Sequence, residues 1–210
     1  MRELRRYIRQ VLLTETRLTL DKVLEDPNLS VFVKSYGQET EFVLKDKSIE
    51  ADPKADAWPA KDEVARISVG PVVASSIRNR KAPTNCSGAL MVYMSYTDHD
   101  GAGPFMYDIA MEWATMNGGG LISDRSSVSG EAQAVWRYYE TSRPDVEVEQ
   151  LDNETDSFDN GPDDDCDQDV ARATVTGMYD NWQDSPLSKI YKKQPAIIPA
   201  LKSAGRWIEK

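Results

Sequence analysis

Stretches of alternating apolar and polar residues take turns with stretches of helical spacing along this chain. Residues 2–13, RELRRYIRQVLL, put Leu4, Tyr7, Ile8, Val11 and Leu12 on one helical stripe and Arg2, Arg5, Arg6 and Arg9 around the rest. That predicts an amphipathic helix, either packed on its own domain or docked on an anionic partner. A second short helix is predicted over 19–25, ending before Pro27. Two β-rich runs, 29–36 and 41–45, flank Gly37-Gln38-Glu39-Thr40 and read as a hairpin. Residues 46–62 hold two prolines and many charges, and predict a loop. A Val- and Ile-rich strand with a bend at Gly70-Pro71 follows over 63–75. A basic loop with Arg78, Arg80 and Lys81 leads out of it.

The densest pattern lies between Gly88 and Arg143. A strand is predicted over 89–96, followed by the turn Asp98-His99-Asp100-Gly101-Ala102-Gly103. Pro104 suits the first turn of a helix, where a missing N–H costs nothing. Phe105, Ile109, Ala110, Trp113 and Ala114 then recur at helical spacing, so one face should pack on a sheet. Gly118-Gly119-Gly120 stops this helix. A short strand, 121–124, a serine-rich loop and a helix over about 131–141 complete the unit, with Ser129 as N-cap. A glycine turn at a helix start offers free backbone N–H groups and the positive end of the helix dipole, a chemistry suited to phosphate oxygens.

This strand–turn–helix–strand–helix order resembles the core of the GNAT acyltransferase superfamily. The resemblance rests on Gly101 and Gly103, which match the family's Gln/Arg-x-x-Gly-x-Gly/Ala turn, although Asp98 stands in its first position. It covers roughly a quarter of the chain. The wording around Gly103-Pro104-Phe105-Met106-Tyr107-Asp108 and Ser123-Asp124-Arg125 is similar to that of uncharacterised acyltransferase-like proteins of tailed bacteriophages. The resemblance implies an α/β fold: a mixed, mostly antiparallel central sheet flanked by helices, here with an acidic loop insertion. It also implies an N-acyltransferase that moves an acetyl group from acetyl-CoA, as co-substrate, to an amine. Met94, Ser95, Tyr96, Gly101, Ala102, Gly103, Pro104 and Phe105 would hold the co-substrate. The slot of the family's proton-donating tyrosine falls nearest Trp136, with Tyr138 and Tyr139 just beyond. The candidate catalytic residues are therefore Tyr138, Tyr139, His99 and Asp124. A catalytically inactive protein of the same fold, structural or binding and plausibly phage-associated, is the alternative. A nucleotide-phosphate enzyme is a weaker third reading, since no Walker lysine follows the glycines.

Composition refines this picture. The chain has 210 residues, 40% hydrophobic and 29% charged, which suits one sizeable domain. Its parts are an N-terminal helical segment (1–26), a core (27–143), an acidic mobile loop (144–169) and a C-terminal part of the same domain (170–210). The net charge of −10 is local. Twelve acidic and no basic residues lie between Asp145 and Asp169, leaving 23 acidic against 25 basic elsewhere. That balance argues against general nucleic-acid binding. The acidic segment misses the EF-hand register and reads as a solvated loop, so no metal is expected. It would steer a cationic acceptor. No apolar run approaches the roughly 20 residues that span a bilayer. Cys86 and Cys166 are far apart and make no motif, so reduced thiols and a cytoplasmic setting are expected (host cytoplasm or virion for a phage protein). His99, the single histidine, is either a general base or part of the turn's own Asp-His-Asp chemistry. Asp124-Arg125 would fix its loop by an ion pair. At the far end, 170–182 predicts a short helix, and a final helix is expected from about Pro199.

Overall fold

The computed structural model describes residues 17–50, 59–77, 84–99, 101–152, 166–174 and 181–210. The predicted N-terminal helix at 2–13, the basic residues 78–83 and most of the acidic segment lie outside them. The chain forms an α/β fold built on one open, mixed sheet of eight strands. In chain order the elements are α1 (Leu20–Glu25), β1 (Leu29–Tyr36), β2 (Glu39–Asp46), β3 (Glu63–Pro71), β4 (Leu90–Thr97), α2 (Ala102–Asn117), β5 (Leu121–Ile122), α3 (Gly130–Ser142), β6 (Val146–Gln150), α4 (Asp169–Arg172), β7 (Lys189–Lys193), α5 (Ile197–Ser203) and β8 (Trp207–Glu209). The strands lie in the order β6-β7-β5-β4-β3-β2-β1-β8. β1 to β4 form an antiparallel meander, β4 and β5 run parallel, and β8 returns parallel to β1.

The predicted hairpin is present, with Gly37 at φ 63° in its turn. Helix α2 differs from the one-faced helix its spacing predicts. Residues 105–112 are buried without a break, because strands β3, β4, β5 and β7 of the sheet pack on this helix together with α5, and Trp136 and Tyr139 of α3 reach it as well. Its two acids inside that run are satisfied. Glu112 accepts Lys193 Nζ at 2.8 Å and the Ile197 and Ile198 N–H groups, both at 2.9 Å, so it caps the first turn of α5. Asp108 accepts the Tyr139 hydroxyl at 2.9 Å and lies 2.9 Å from Arg143. Rings close the far end of this core: Phe42 lies 5.5 Å from Trp113 and 5.7 Å from Trp207.

Further sequence expectations change, beginning with the strand expected over 63–75, which ends at Pro71 and gives way to a 3-10 turn at Ala74–Ser76. Residues 146–150, expected inside the acidic loop, form β6, with five partners on β7 and a Lys192–Glu149 ion pair at 2.5 Å. Val146 is buried while Glu147 and Glu149 point outward, so the charges of this strand face solvent. The final helix starts at Ile197, earlier than Pro199, and the chain then forms β8. Cys86 and Cys166, expected as thiols, are joined in a disulfide across a sequence separation of 80. The bond lies in a second apolar cluster with Met91, Ile122 and Ile190. The neighbours of these three along the strands, Leu90, Leu121 and Tyr191, belong to the main core on the opposite face.

The link between α2 and β5 runs against the turn before β4. A Cβ on Gly119 would meet the Ser87 carbonyl oxygen at 2.3 Å, and Gly119 N–H donates to the Gly88 carbonyl at 2.8 Å. Gly119→Ala is expected to lower stability by about 1–3 kcal/mol through overpacking, measured by urea unfolding.

Candidate functional site

The sheet parts between β4 and β5. Their parallel pairing covers two registers, Leu90–Leu121 and Met91–Ile122. β4 then continues for six residues while the chain after β5 turns away into residues 123–129 and α3. Opposite this fork, β3 and β4 slip register: Ser68 pairs with Met94 and Val69 with Val92, which leaves Tyr93 bulged out. The bulge increases the strand's twist. Gly70 makes room for it, since a Cβ there would lie 2.7 Å from the Tyr93 ring. The Tyr93 hydroxyl is anchored on the Pro71 carbonyl at 2.5 Å.

The fork holds a cleft of two adjoining lobes, of about 140 and 200 Å³. Ser95, Tyr107, Ser129 and Ala132 line both. The inner lobe adds Met94, Tyr93, Asp124 and Trp136, and the outer lobe adds Tyr96, Gly103, Arg66 and Glu131. Of the sequence-predicted co-substrate residues, Met94, Ser95, Tyr96 and Gly103 therefore meet at one cleft. Gly101 starts α2 at φ 83°, a conformation that suits glycine. Ala102 and Phe105 are buried beneath the turn, and neither they nor Pro104 line the cleft.

Asp124 is the one candidate catalytic residue on the cleft wall. Its Oδ1 accepts the Ser126 N–H at 2.6 Å, the Ser126 hydroxyl at 2.8 Å and the Ser127 N–H at 3.2 Å, so it also shapes its own loop. His99 is exposed in the turn and its ring does not line the cleft. Its N–H donates to Thr97 Oγ1 at 3.3 Å, and its carbonyl accepts the Thr97 hydroxyl at 2.8 Å and Ala102 N–H at 3.2 Å. Tyr138 and Tyr139 lie away from the cleft. Tyr139 is fully buried and donates to the Pro104 carbonyl at 2.7 Å and to Asp108. Tyr138 takes a hydrogen bond from Arg17 at 2.5 Å. Ser129 does cap α3, accepting Ala132 N–H at 3.2 Å.

Of the tyrosines that line the cleft, Tyr107 alone faces both lobes, and the sequence pattern did not single it out as catalytic. Its ring stands edge-on to Trp136 at 5.3 Å, and its hydroxyl lies 3.3 Å from Ser95 Oγ. Helical spacing from Phe105 puts Tyr107 off the predicted sheet-facing stripe, and only the fork gives that side of the helix a surface to line. Burial pushes the Tyr107 phenol above the usual tyrosine range, with the Ser95 hydroxyl pulling the other way. Burial raises Tyr139 and Tyr191 as well. These three groups keep their protons in the folded chain after an unfolded chain has lost them. Their contribution to stability is therefore present below about pH 10, the ordinary tyrosine value, and is lost as pH climbs beyond it. Phenolate absorbance should accordingly rise in two phases on alkaline titration, the later one coinciding with loss of far-UV circular dichroism.

Arg125 is the least expected member of the site's surroundings. It is fully buried, and it donates to carbonyls of Ser123 at 3.1 Å, Asp167 at 3.3 Å and Leu187 at 2.5 Å, to Gln168 Oε1 at 3.4 Å, and to Ser123 Oγ. Burial pulls its pKa down to about 10, against the opposing charges of Asp167 and Asp124. The sequence predicts an Asp124–Arg125 ion pair fixing this loop; instead Arg125 donates mostly to main-chain oxygens, and the Asp124 carboxylate accepts from Ser126 and Ser127.

Among the described residues no group of His, Cys, Asp or Glu is arranged to hold a metal, and no helix is long and apolar enough to cross a membrane. No protein-family model matches this chain, and no curated protein or solved structure matches it either.

Proposed function

We propose that this is a GNAT-like protein whose cleft takes an acyl-CoA and passes the acetyl group to an amine. The observation that carries this reading is the parting of β4 from β5 after two paired residues, beside a bulge at Tyr93. The acyl-pantetheine arm would lie along the free edge of β4, with a backbone N–H of residues 94–96 polarising the thioester carbonyl. The pyrophosphate would sit at the outer lobe, by Gly103. An amine nitrogen attacks the carbonyl carbon, the C–N bond forms and the C–S bond breaks. Asp124, directly or through water, accepts the amine proton. Tyr107 replaces Tyr138 and Tyr139 as the candidate donor to the departing thiolate, because the hydroxyls of the other two are engaged outside the cleft.

The alternative, a binding protein of the same fold without catalysis, is favoured by one specific count. Of the first three helical N–H positions, Ala102 is spent on His99 and Pro104 has none, so only Gly103 remains to offer a donor. The arginine at the outer lobe, Arg66, is already paired with Glu41 at 2.7 Å and Glu63 at 2.5 Å.

Thermal unfolding with acetyl-CoA separates the two. Saturation to about 100 times Kd adds roughly 2.7 kcal/mol, which for a chain of this size raises Tm by about 5–10 °C. Gly103→Glu should abolish that shift without harming the fold, since a Cβ there meets only Thr97 Cγ2 at 4.0 Å. No shift at millimolar acetyl-CoA would leave the non-catalytic reading.

A further inference from the structure

We propose that the Cys86–Cys166 disulfide is a redox-sensitive latch that holds one wall of the cleft in place. The inference concerns the wall itself and does not depend on which ligand the cleft takes.

The connection runs through a few residues. Cys166 is covalently fixed to Cys86 in the turn before β4, where Cys86, Ser87 and Gly88 have φ of 46°, 53° and 71°. The next two residues, Asp167 and Gln168, each present an oxygen to Arg125 Nη1. Gln168 also donates to the Leu151 carbonyl at 3.3 Å. Arg125 in turn is the neighbour of Asp124, whose carboxylate folds the turn through Ser126 and Ser127 that lines the inner lobe. A buried guanidinium is tolerated only while its donors are matched by acceptors. The disulfide positions two of those acceptors, at one and two residues' remove.

Reduction by a small-molecule dithiol would transfer two electrons to the bond. Each cysteine takes up a proton as a thiol, and the dithiol closes to its cyclic disulfide. Residues 166–168 then lose their covalent anchor. Arg125 loses the fixed acceptors on that side, and exposing the guanidinium to water becomes the cheaper arrangement. Residues 123–129 would move with it and open the inner lobe.

The test is hydrogen exchange by mass spectrometry on the full chain, oxidised and then reduced with dithiothreitol under native conditions, with thiols counted by alkylation. On reduction, amides in 123–129 and 166–174 should exchange at least tenfold faster, while β1 to β3 keep their protection. The Cys86→Ser/Cys166→Ser double variant should reproduce this pattern without reductant. If that variant fails to fold, reduction of the natural chain still decides the matter. The proposal is overturned if 123–129 exchange unchanged in fully reduced protein, if every segment loosens equally, or if both thiols alkylate in the air-oxidised protein.

Discussion

Glu112→Ala should cost about 3–5 kcal/mol of folding stability, read as a lower urea midpoint. Glu112 is fully buried in the middle of α2, and its two oxygens take three donors. Truncation leaves the Lys193 ammonium, itself almost buried, with only the Asp145 carboxylate at 4.0 Å, and returns two N–H groups at the start of α5 to an unpaired state. Each buried donor left unsatisfied costs about 1–3 kcal/mol. The conservative variant Glu112→Gln keeps a carbonyl oxygen for one helix N–H but loses the charge opposite Lys193, so it should fall between. Equal stability of the alanine variant and the natural protein would show that α5 is held by its apolar contacts alone.

Trp136→Ala is expected to cost a similar amount, about 3–5 kcal/mol, by leaving a large cavity. Trp136 is 1% exposed and forms the joint between three elements, with Tyr107 of α2 at 5.3 Å and Tyr191 of β7 at 4.8 Å. It also lines the inner lobe, so stability and cleft shape should change together. Trp136→Phe, which keeps a ring against Tyr107, should recover most of the stability. Urea unfolding followed by far-UV circular dichroism measures both variants on one scale. A loss below about 1 kcal/mol for the alanine variant would mean that α3 collapses onto the space and is not keyed by this ring.

Much of the sheet was legible in the sequence because its strands are made of apolar residues at strand spacing. β1, β2 and β4 and helices α2 and α3 start and stop near punctuation that any reader sees: Gly37, Gly101, the three glycines at 118–120 and Ser129. β6 was hidden by charge. In Val146-Glu147-Val148-Glu149 the alternation is present, but the surrounding aspartates dominate any composition-based reading. β7 and β8 are five and three residues long, too short for periodicity to speak. The strand half of the cleft, Met94 to Tyr96, followed from the family resemblance carried by the strand–turn–helix order, and so did Gly103. Tyr107 did not, because its place depends on where β5 diverges. The pairing of Cys86 with Cys166 depends on tertiary contact across 80 residues, and spacing carries no trace of it.

The position of β8 beside β1 has a consequence for how this chain acquires its fold. Val31 pairs with Trp207 and Val33 with Glu209, so the first described strand waits for the last before that edge of the sheet is complete. Closing so long a loop brings little reward until the intervening strands are in place, and topologies of this kind fold slowly. During synthesis the β1–β4 meander can form early from neighbouring segments, but its outer edge stays open until residues 207–209 leave the ribosome. In that interval the meander presents an unpaired β-edge, a surface open to strand addition by other chains.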